Sequence, residues 1–458
     1  MKNNNQDIYA LLKDSYEGAG GFIDGSYLIK HAREDNEKYE SRKNLSYYLN
    51  YFKPCIDAHV SPIFKTLALR DYRGAGANSW ATFIEDVDFR GTKIKDLMKQ
   101  AAHEAKLNGI CFIVMDREQE AQPRNLAELD GDRNNIPYAY VVAPGRVNEV
   151  ITDKHGRIIS FEFTEQDPFN ENINATRIFT VEGWTFKTSK GVLKGSWDLG
   201  CVPVIPVPSK LVEGTYNPFP ASEFLSIAKT NKVIYNLCSW LNEILANQTF
   251  SILLYPSTAE DSLVIGTNNA LGYPADAAHE PNFIAPPADP ANILSAQITK
   301  LQEECYRMAG VVNVTGVRSE QSGVAKQWDY EQTNQVLADF ADILENAEKQ
   351  LANLFMRFTG VEFEYRLNYP SDFTISDTNT ELSNAEIAKG LAFGDAFNLE
   401  VYKKVLTSYL PELSDEDFDR LVAEYESEQE KKKLDEEQAL RNLTNNNAGN
   451  ILEEVDEE

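Results

Sequence analysis

Side chains that could do chemistry are scattered through this sequence rather than grouped. His103-Glu104 opens the H-E-x-x-H pattern, in which two imidazoles one helical turn apart hold zinc, but position 107 is Leu107 and the second ligand is missing. His103 is therefore read as a histidine on a helix surface. Asp130-Gly131-Asp132-Arg133-Asn134-Asn135 begins like a calcium loop, yet Asn135 stands where the sharp turn requires Gly, and Val141 where a bidentate carboxylate would close the shell. A solvated loop is the expectation there. Gly74-Ala75-Gly76 lacks both the following Gly of a dinucleotide fingerprint and the Lys-Ser/Thr of a phosphate-binding loop. His31, His59, His155 and His279 have no metal-ligand spacing, and Cys55, Cys111, Cys201, Cys238 and Cys305 form no C-x-x-C pair. Each cysteine sits in an apolar segment and is expected to be a buried, reduced thiol. No cofactor, metal or catalytic residue is expected, and the chain is read as not an enzyme.

Charge narrows the partners. Lys and Arg total 44 against 71 Asp and Glu, a formal net charge of -27 over 458 residues. A surface built to grip nucleic acid from outside needs clustered cations, so the balance argues against that class, but not against a surface that DNA slides past. With so many acids, a carboxylate pair assembled from distant residues leaves an acidic, carboxylate-dependent hydrolase open as an alternative. Hydrophobic residues make up 42% and aromatics 11%, enough for packed cores, and the length calls for two to four structural units. No run of about 18 apolar residues is present, and Met1 to Asp7 has no apolar stretch of a signal peptide, so no membrane partner and a cytosolic origin are expected.

The elements that must position any site follow from periodicity. The first forty residues are polar and weakly patterned. A helix is predicted from Asn44 to about Leu67, kinked at Pro54 and Pro62, and a second after Thr92 as its cap, ending at Asn108-Gly109 before a buried strand from Ile110 to Met115. Tyr138 to Val142, Val147 to Ile151, Ile158 to Thr164, Arg177 to Val181 and Trp184 to Thr188 read as a half-exposed antiparallel sheet, closed by the proline-rich Gly200 to Pro208. A long helix carries Phe224, Ile227, Ile234, Leu237, Cys238, Leu241 and Leu245, interrupted by Asn231. Short strands Ile252 to Tyr255 and Leu263 to Ile265 lie in a proline-rich insertion, and a helix resumes near Ala291 behind Asp289 and stops at Gly310. Leu337, Phe340, Leu344, Ala347, Leu351, Leu354 and Phe358 step alternately by three and four, predicting a helix from Val324 to Phe358. A strand from Val361 to Leu367 and polar helices at Asn384 to Phe393, Leu399 to Leu410 and Asp415 to Gln429 follow, before an acidic tail expected to be mobile.

This order, with its local motifs, resembles the portal proteins of tailed bacteriophages. Phe83-Ile84-Glu85-Asp86-Val87-Asp88-Phe89-Arg90-Gly91, a helix, and then Leu107 to Asp116 look like the core of the family's wing domain. Val202-Pro203-Val204-Ile205-Pro206 ahead of Ser222 is similar to the strand leading into the first stem helix, and Ser322-Gly323-Val324-Ala325 entering a helix with Leu344-Glu345-Asn346-Ala347-Glu348 looks like the junction of tunnel loop and long wing helix. The resemblance spans roughly Asn44 to Glu424 and rests on collinearity.

The resemblance implies an α+β, portal-like fold: a mixed wing domain (1–220), paired stem helices (221–248 and 290–310), a small β-rich clip (249–289), a tunnel loop (311–323), a very long wing helix with return strand (324–375), and a helical C-terminal crown with acidic tail (376–458). It implies a ring, usually of twelve copies, at the capsid vertex of the virion, assembled in the host cytoplasm. Double-stranded DNA would be packaged and ejected through it without sequence readout. The implied partners are the terminase large subunit, a head-completion adaptor or tail protein, and the major capsid and scaffolding proteins. Asn313, Thr315, Arg318, Ser319, Gln321 and Ser322 would face DNA from the tunnel loop, and Lys300 and Arg307 are candidates to face the lumen from the stem, or a neighbour's acids, with a solvated face as the plain alternative. Tyr255, Asn268, Asn269, Tyr273 and Phe283 would lie in the docking clip. Another ring-forming or scaffold-type virion protein is the nearer alternative, the hydrolase the more distant one.

Overall fold

The computed structural model describes residues 1–117, 125–211, 217–249, 252–254, 282–284, 289–311, 323–371, 373, 383, 385–388, 390, 394–410, 413, 417–429 and 431–432, with the side chains of 247–249, 252–254, 282–284, 323–332 and 407–408 excepted. In chain order the elements are α1 (Gln6–Glu17), α2 (Asn36–Leu45), α3 (Phe52–Val60), β1 (Leu69–Arg73), α4 (Ala77–Glu85), α5 (Ile94–Asn108), β2 (Ile110–Asp116), α6 (Leu126–Gly131), β3 (Tyr138–Val142), β4 (Val147–Thr152), β5 (Ile158–Asp167), β6 (Asn170–Thr180), β7 (Gly183–Thr188) and β8 (Gly191–Ser196). They continue with β9 (Val204–Pro208), α7 (Leu225–Thr249), β10 (Ile252–Leu254), β11 (Asn282–Ile284), α8 (Asp289–Met308), α9 (Gly323–Thr359), β12 (Glu364–Asn368) and α10 (Asp395–Tyr409). The fold is mixed α+β. Its contacts divide it into one unit of Met1–His59, Gln100–Met115 and Ala139–Asp329, and another of Val60–Lys99, Asp116–Tyr138 and Tyr330–Glu458.

In the first unit, α1 replaces the featureless start expected from the sequence. Tyr9, Leu12 and Ser15 are buried and Ile8 and Tyr16 pack against the same core, so one face of this helix carries apolar residues at helical spacing that the sequence reading passed over. The single helix predicted from Asn44 to Leu67 is instead α2, α3 and a separate 3-10 turn, Ser61–Phe64. Asn50 accepts the backbone N–H groups of Phe52 and Lys53 at 3.2 and 2.8 Å and so starts α3 afresh. Pro54 then falls in the first turn, where a missing N–H costs nothing.

The β-rich part separates into two sheets. β4-β5-β6-β7-β8 is antiparallel throughout, with Val150, Phe161, Phe163 and Phe179 buried on one face. Asp153, whose carboxylate takes the N–H groups of His155 and Arg157, and Gly156 at φ +81° make the β4–β5 turn that the sequence announces. Two segments expected in this sheet do not join it: β3, read as its first strand, and β9, read as its closing segment, flank β2 in a second sheet, β3-β2-β9, where β9 pairs antiparallel with β2. Its prolines are satisfied by an edge position, and either sheet would supply one. β8 closes the larger sheet, and β6 begins at Asn170, before the predicted Arg177; β8 and residues 171–174 are largely exposed and so carry no alternating apolar pattern. Phe112 and Phe161, 4.9 Å apart, lie in the common core of the two sheets.

In the second unit, Trp80 of α4 is fully buried against Phe83, Phe355, Phe363 and Tyr365. The late strand predicted from Val361 is β12, paired with β1. Along α9, Leu337, Phe340, Leu344, Ala347, Leu351 and Leu354 are buried as the spacing requires. Phe358 is only half-buried and Phe355 takes the core position, because a straight helix drifts by about 20° per heptad from a 3.5-residue repeat. Two local expectations change. Thr92 does not cap α5; its hydroxyl donates to Asp88 at 2.9 Å. Asp130 is not in a solvated loop but on α6, where it accepts the Ser79 hydroxyl.

Candidate functional site

The helices α7 and α8 are packed together, and β10 and β11, which follow and precede them, pair antiparallel, so the chain runs out along one helix and back along the other. Ile227, Ala228, Ile234 and Cys238 of α7 share a core with Cys305, Tyr306 and Ala309 at the α8 end. Asn231, which interrupts the apolar stripe of α7, is buried yet satisfied at both ends. It accepts the Tyr51 N–H and donates to the Leu49 carbonyl, each at 2.9 Å, and so fastens α7 to the segment before α3. Residues 240–244 are only half-buried on every side.

Lys300 and Arg307 are both exposed, and with Ile293, 69% exposed, they fall at seven-residue intervals on one face of α8. Arg307 pairs with Glu304 at 2.7 Å. That hydrogen bond and charge, with Lys300 adding to the field, hold the Glu304 carboxyl below its usual range. The face thus presents an apolar residue and cations partly neutralised by their own helix.

At the C-terminal end of α8 lies a buried polar group that the sequence did not announce. His59 is buried with its Nε2 2.7 Å from the Ala309 carbonyl oxygen and its ring edge-on to Phe224, centroids 5.2 Å apart. A carbonyl only accepts, so Nε2 carries the proton. Lys106, 1% exposed, donates to Glu223 at 2.8 Å nearby. Burial, reinforced by the Lys106 charge, lowers the His59 pKa, and burial lowers that of Lys106 despite its partner. Gly109, at φ +91°, lets the end of α5 approach: a Cβ there would stand 2.9 Å from the Pro220 carbonyl oxygen. The cluster fixes the backbone immediately before residues 312–322.

Four of the five thiols are buried and Cys201 is half-exposed. Burial pushes Cys55 up to about 12 and Cys305 up to about 11, which keeps them as unreactive thiols. His103 is not a surface histidine; it is half-buried with its ring 4.3 Å from that of Tyr16. In the second unit, Glu348 is fully buried and receives Arg70 at 2.7 and 3.2 Å, the Tyr365 hydroxyl at 2.6 Å and the Tyr369 hydroxyl at 2.7 Å. Arg133 lies over Phe89, 4.3 Å from its centroid, and donates to the Asp86 carbonyl, and so ties down the segment that follows α4. Among the described residues no group of three His, Cys, Asp or Glu is placed to hold a metal, and no helix is long and apolar enough to cross a membrane.

The remaining expected site residues fall elsewhere. Asn313, Thr315, Arg318, Ser319, Gln321 and Ser322, with Tyr255, Asn268, Asn269 and Tyr273, lie outside the described residues, as do Leu263 to Ile265 and the acidic tail; Phe283 lies in β11, described only in its backbone.

No family model matches the chain, and no curated protein matches it. Among solved structures it is similar to a chain in the neck of a native gene transfer agent particle computed with C12 symmetry, at 12% identity over 78% of this chain and 89% of that one, TM-score 0.45. It is also similar to a chain in the neck of an empty particle computed with C6 symmetry, at 11% identity over 89% and 94%, TM-score 0.48. A chain of the native virion matches at 12% identity over 87% and 98%, TM-score 0.43.

Proposed function

We propose that this chain is a phage portal protein, a ring at the capsid vertex through which double-stranded DNA enters and leaves. The order of elements carries the reading: sheets first, then the out-and-back pair α7 and α8 with β10 and β11 at its far end, then the 37-residue α9 and its return strand. In this reading α7 and α8 are the stem helices, about 37 and 30 Å long, the strand pair belongs to the clip, and residues 312–322 meet DNA. The sheets and α9 with its return strand would form the wing, and α10 would lie in the crown. The clip would dock the terminase large subunit and later the head-completion adaptor or tail protein. The rim would meet the major capsid and scaffolding proteins.

The charge supports the role. Duplex DNA must move in both directions, and a dense ring of cations would hold its phosphates at every step. A net charge of -27, with Arg307 paired to Glu304, avoids such a trap, and the polar Asn313, Thr315, Ser319, Gln321 and Ser322 would make weak, replaceable contacts. No catalytic role is assigned to the chain; the energy for packaging would come from the motor that docks on it.

Native mass spectrometry with negative-stain imaging of the purified chain tests the proposal. Twelve copies of 51.6 kDa give a closed ring of about 620 kDa with a hole wide enough for a duplex. A stable monomer or dimer at micromolar concentration, or turnover abolished by one Asp or Glu substitution, would count against it.

A further inference from the structure

The five-stranded sheet has two edges, and they are treated differently. At β4 the first residues of the chain lie alongside: Lys2 bridges Glu149, the Asn3 N–H donates to the Asn148 carbonyl, and the Val150 N–H to that of Met1. At the opposite edge, β8 has β7 on one side and no strand of the described residues on the other. Val192 is 57% and Leu193 54% exposed. The hairpin Gly183–Ser196 holds Lys187, Lys190 and Lys194 and no acid, in a chain of net charge -27. All three lysines are exposed; Lys190 lies 4.2 Å from the ring centroid of half-exposed Phe169, and Val192 stands opposite Lys187 in the β7–β8 register.

An open edge offers unpaired backbone groups to an extended segment, and lysines along it disfavour pairing with another edge of the same charge. A second β8 is thus a poor occupant. The sequence holds a complementary one: Ile451-Leu452-Glu453-Glu454-Val455-Asp456-Glu457-Glu458 combines three apolar residues with five acids and lies outside the described residues. We propose that the β8 edge docks residues 451–458 of a second copy of this chain, their backbone extending the sheet, their acids facing Lys187, Lys190 and Lys194, and their apolar residues covering Val192 and Leu193. A head-to-tail contact of this kind joins two different surfaces, as ring closure requires. The choice of a second copy rests on the ring reading; the choice of segment rests on the hairpin alone.

The test places the photo-crosslinker p-benzoylphenylalanine at Val192 in the full chain, in an equal mixture of isotopically light and heavy copies. Cross-links from position 192 to residues 451–458 that join light to heavy copies are expected. They should fall about tenfold in the triple variant Lys187→Glu, Lys190→Glu, Lys194→Glu, and on raising salt to about 0.5 M. A synthetic peptide of residues 451–458 should compete with them in the otherwise wild-type chain, which keeps the test independent of whether the triple variant folds. Cross-links only within one isotopic form, cross-links to another segment, no cross-link, or indifference to the peptide would each overturn the proposal. A ring without the cross-link would leave the portal reading standing, and the mixed cross-link without a ring would sink that reading instead.

Discussion

His59 shows how one side chain acquires a role through its surroundings. Its Nε2 proton is committed to the Ala309 carbonyl, and burial beside the Lys106–Glu223 pair keeps the ring neutral, so its folded-state pKa lies below 6.5. A depressed pKa means that the unfolded chain binds the proton first. The stability His59 contributes is therefore complete above 6.5 and is lost as pH falls toward the folded value, by about 1.4 kcal/mol per unit. The neutral His59→Gln variant should lose less in Tm than the wild type between about pH 7.5 and 5; equal losses would assign the acid sensitivity to other groups. Glu348 offers a second test, because removing it strands the Arg70 guanidinium, which its field holds above the usual arginine pKa despite burial. Glu348→Ala should lower the unfolding free energy by about 3–5 kcal/mol in denaturant titrations, and a loss below about 1 kcal/mol would contradict the burial.

Among the elements, α9 and α8 differ in what their faces are for. Leu344 is fully enclosed, and Leu344→Ala should cost about 2–5 kcal/mol, measured by the denaturation midpoint. Ile293, equally apolar, is 69% exposed on α8 in line with Lys300 and Arg307. Ile293→Asp should leave monomer stability within about 0.5 kcal/mol and, on a face turned to the lumen, leave the ring population on native mass spectrometry unchanged. A depleted ring would move that face from the lumen to the subunit contact. Where apolar residues alternate or step by three and four, as in β5 and α9, the sequence was sufficient to locate the element. β8 and the start of β6 escaped because they bury little, and a pattern exists only where burial imposes one; α1 carries its pattern in Ile8, Tyr9, Leu12 and Tyr16 and was passed over among polar neighbours.

For the molecule as a whole, charge makes the sharpest prediction. With 71 acids against 44 bases, the chain should not retain linear duplex DNA in gel-shift experiments at about 0.15 M salt. Retention at micromolar concentration would point to a cationic surface and against an unobstructed conduit. The basic hairpin Gly183–Ser196 is the place to look for such a surface, and its three lysines are the first to substitute.

The sequence by itself settled what depends on neighbours along the chain: the mixed fold class, most strands, the two helices around the insertion, the length of α9 to within a residue at each end, and the want of a local metal or phosphate motif. Tertiary structure decided what depends on residues far apart in number. It alone paired β9 with β2 rather than with the larger sheet, since an edge strand rich in proline fits either. It alone brought His59 to Ala309, Arg70 to Glu348 and Lys106 to Glu223, because a polar residue is compatible with many partners until packing removes water and fixes which of them are within reach.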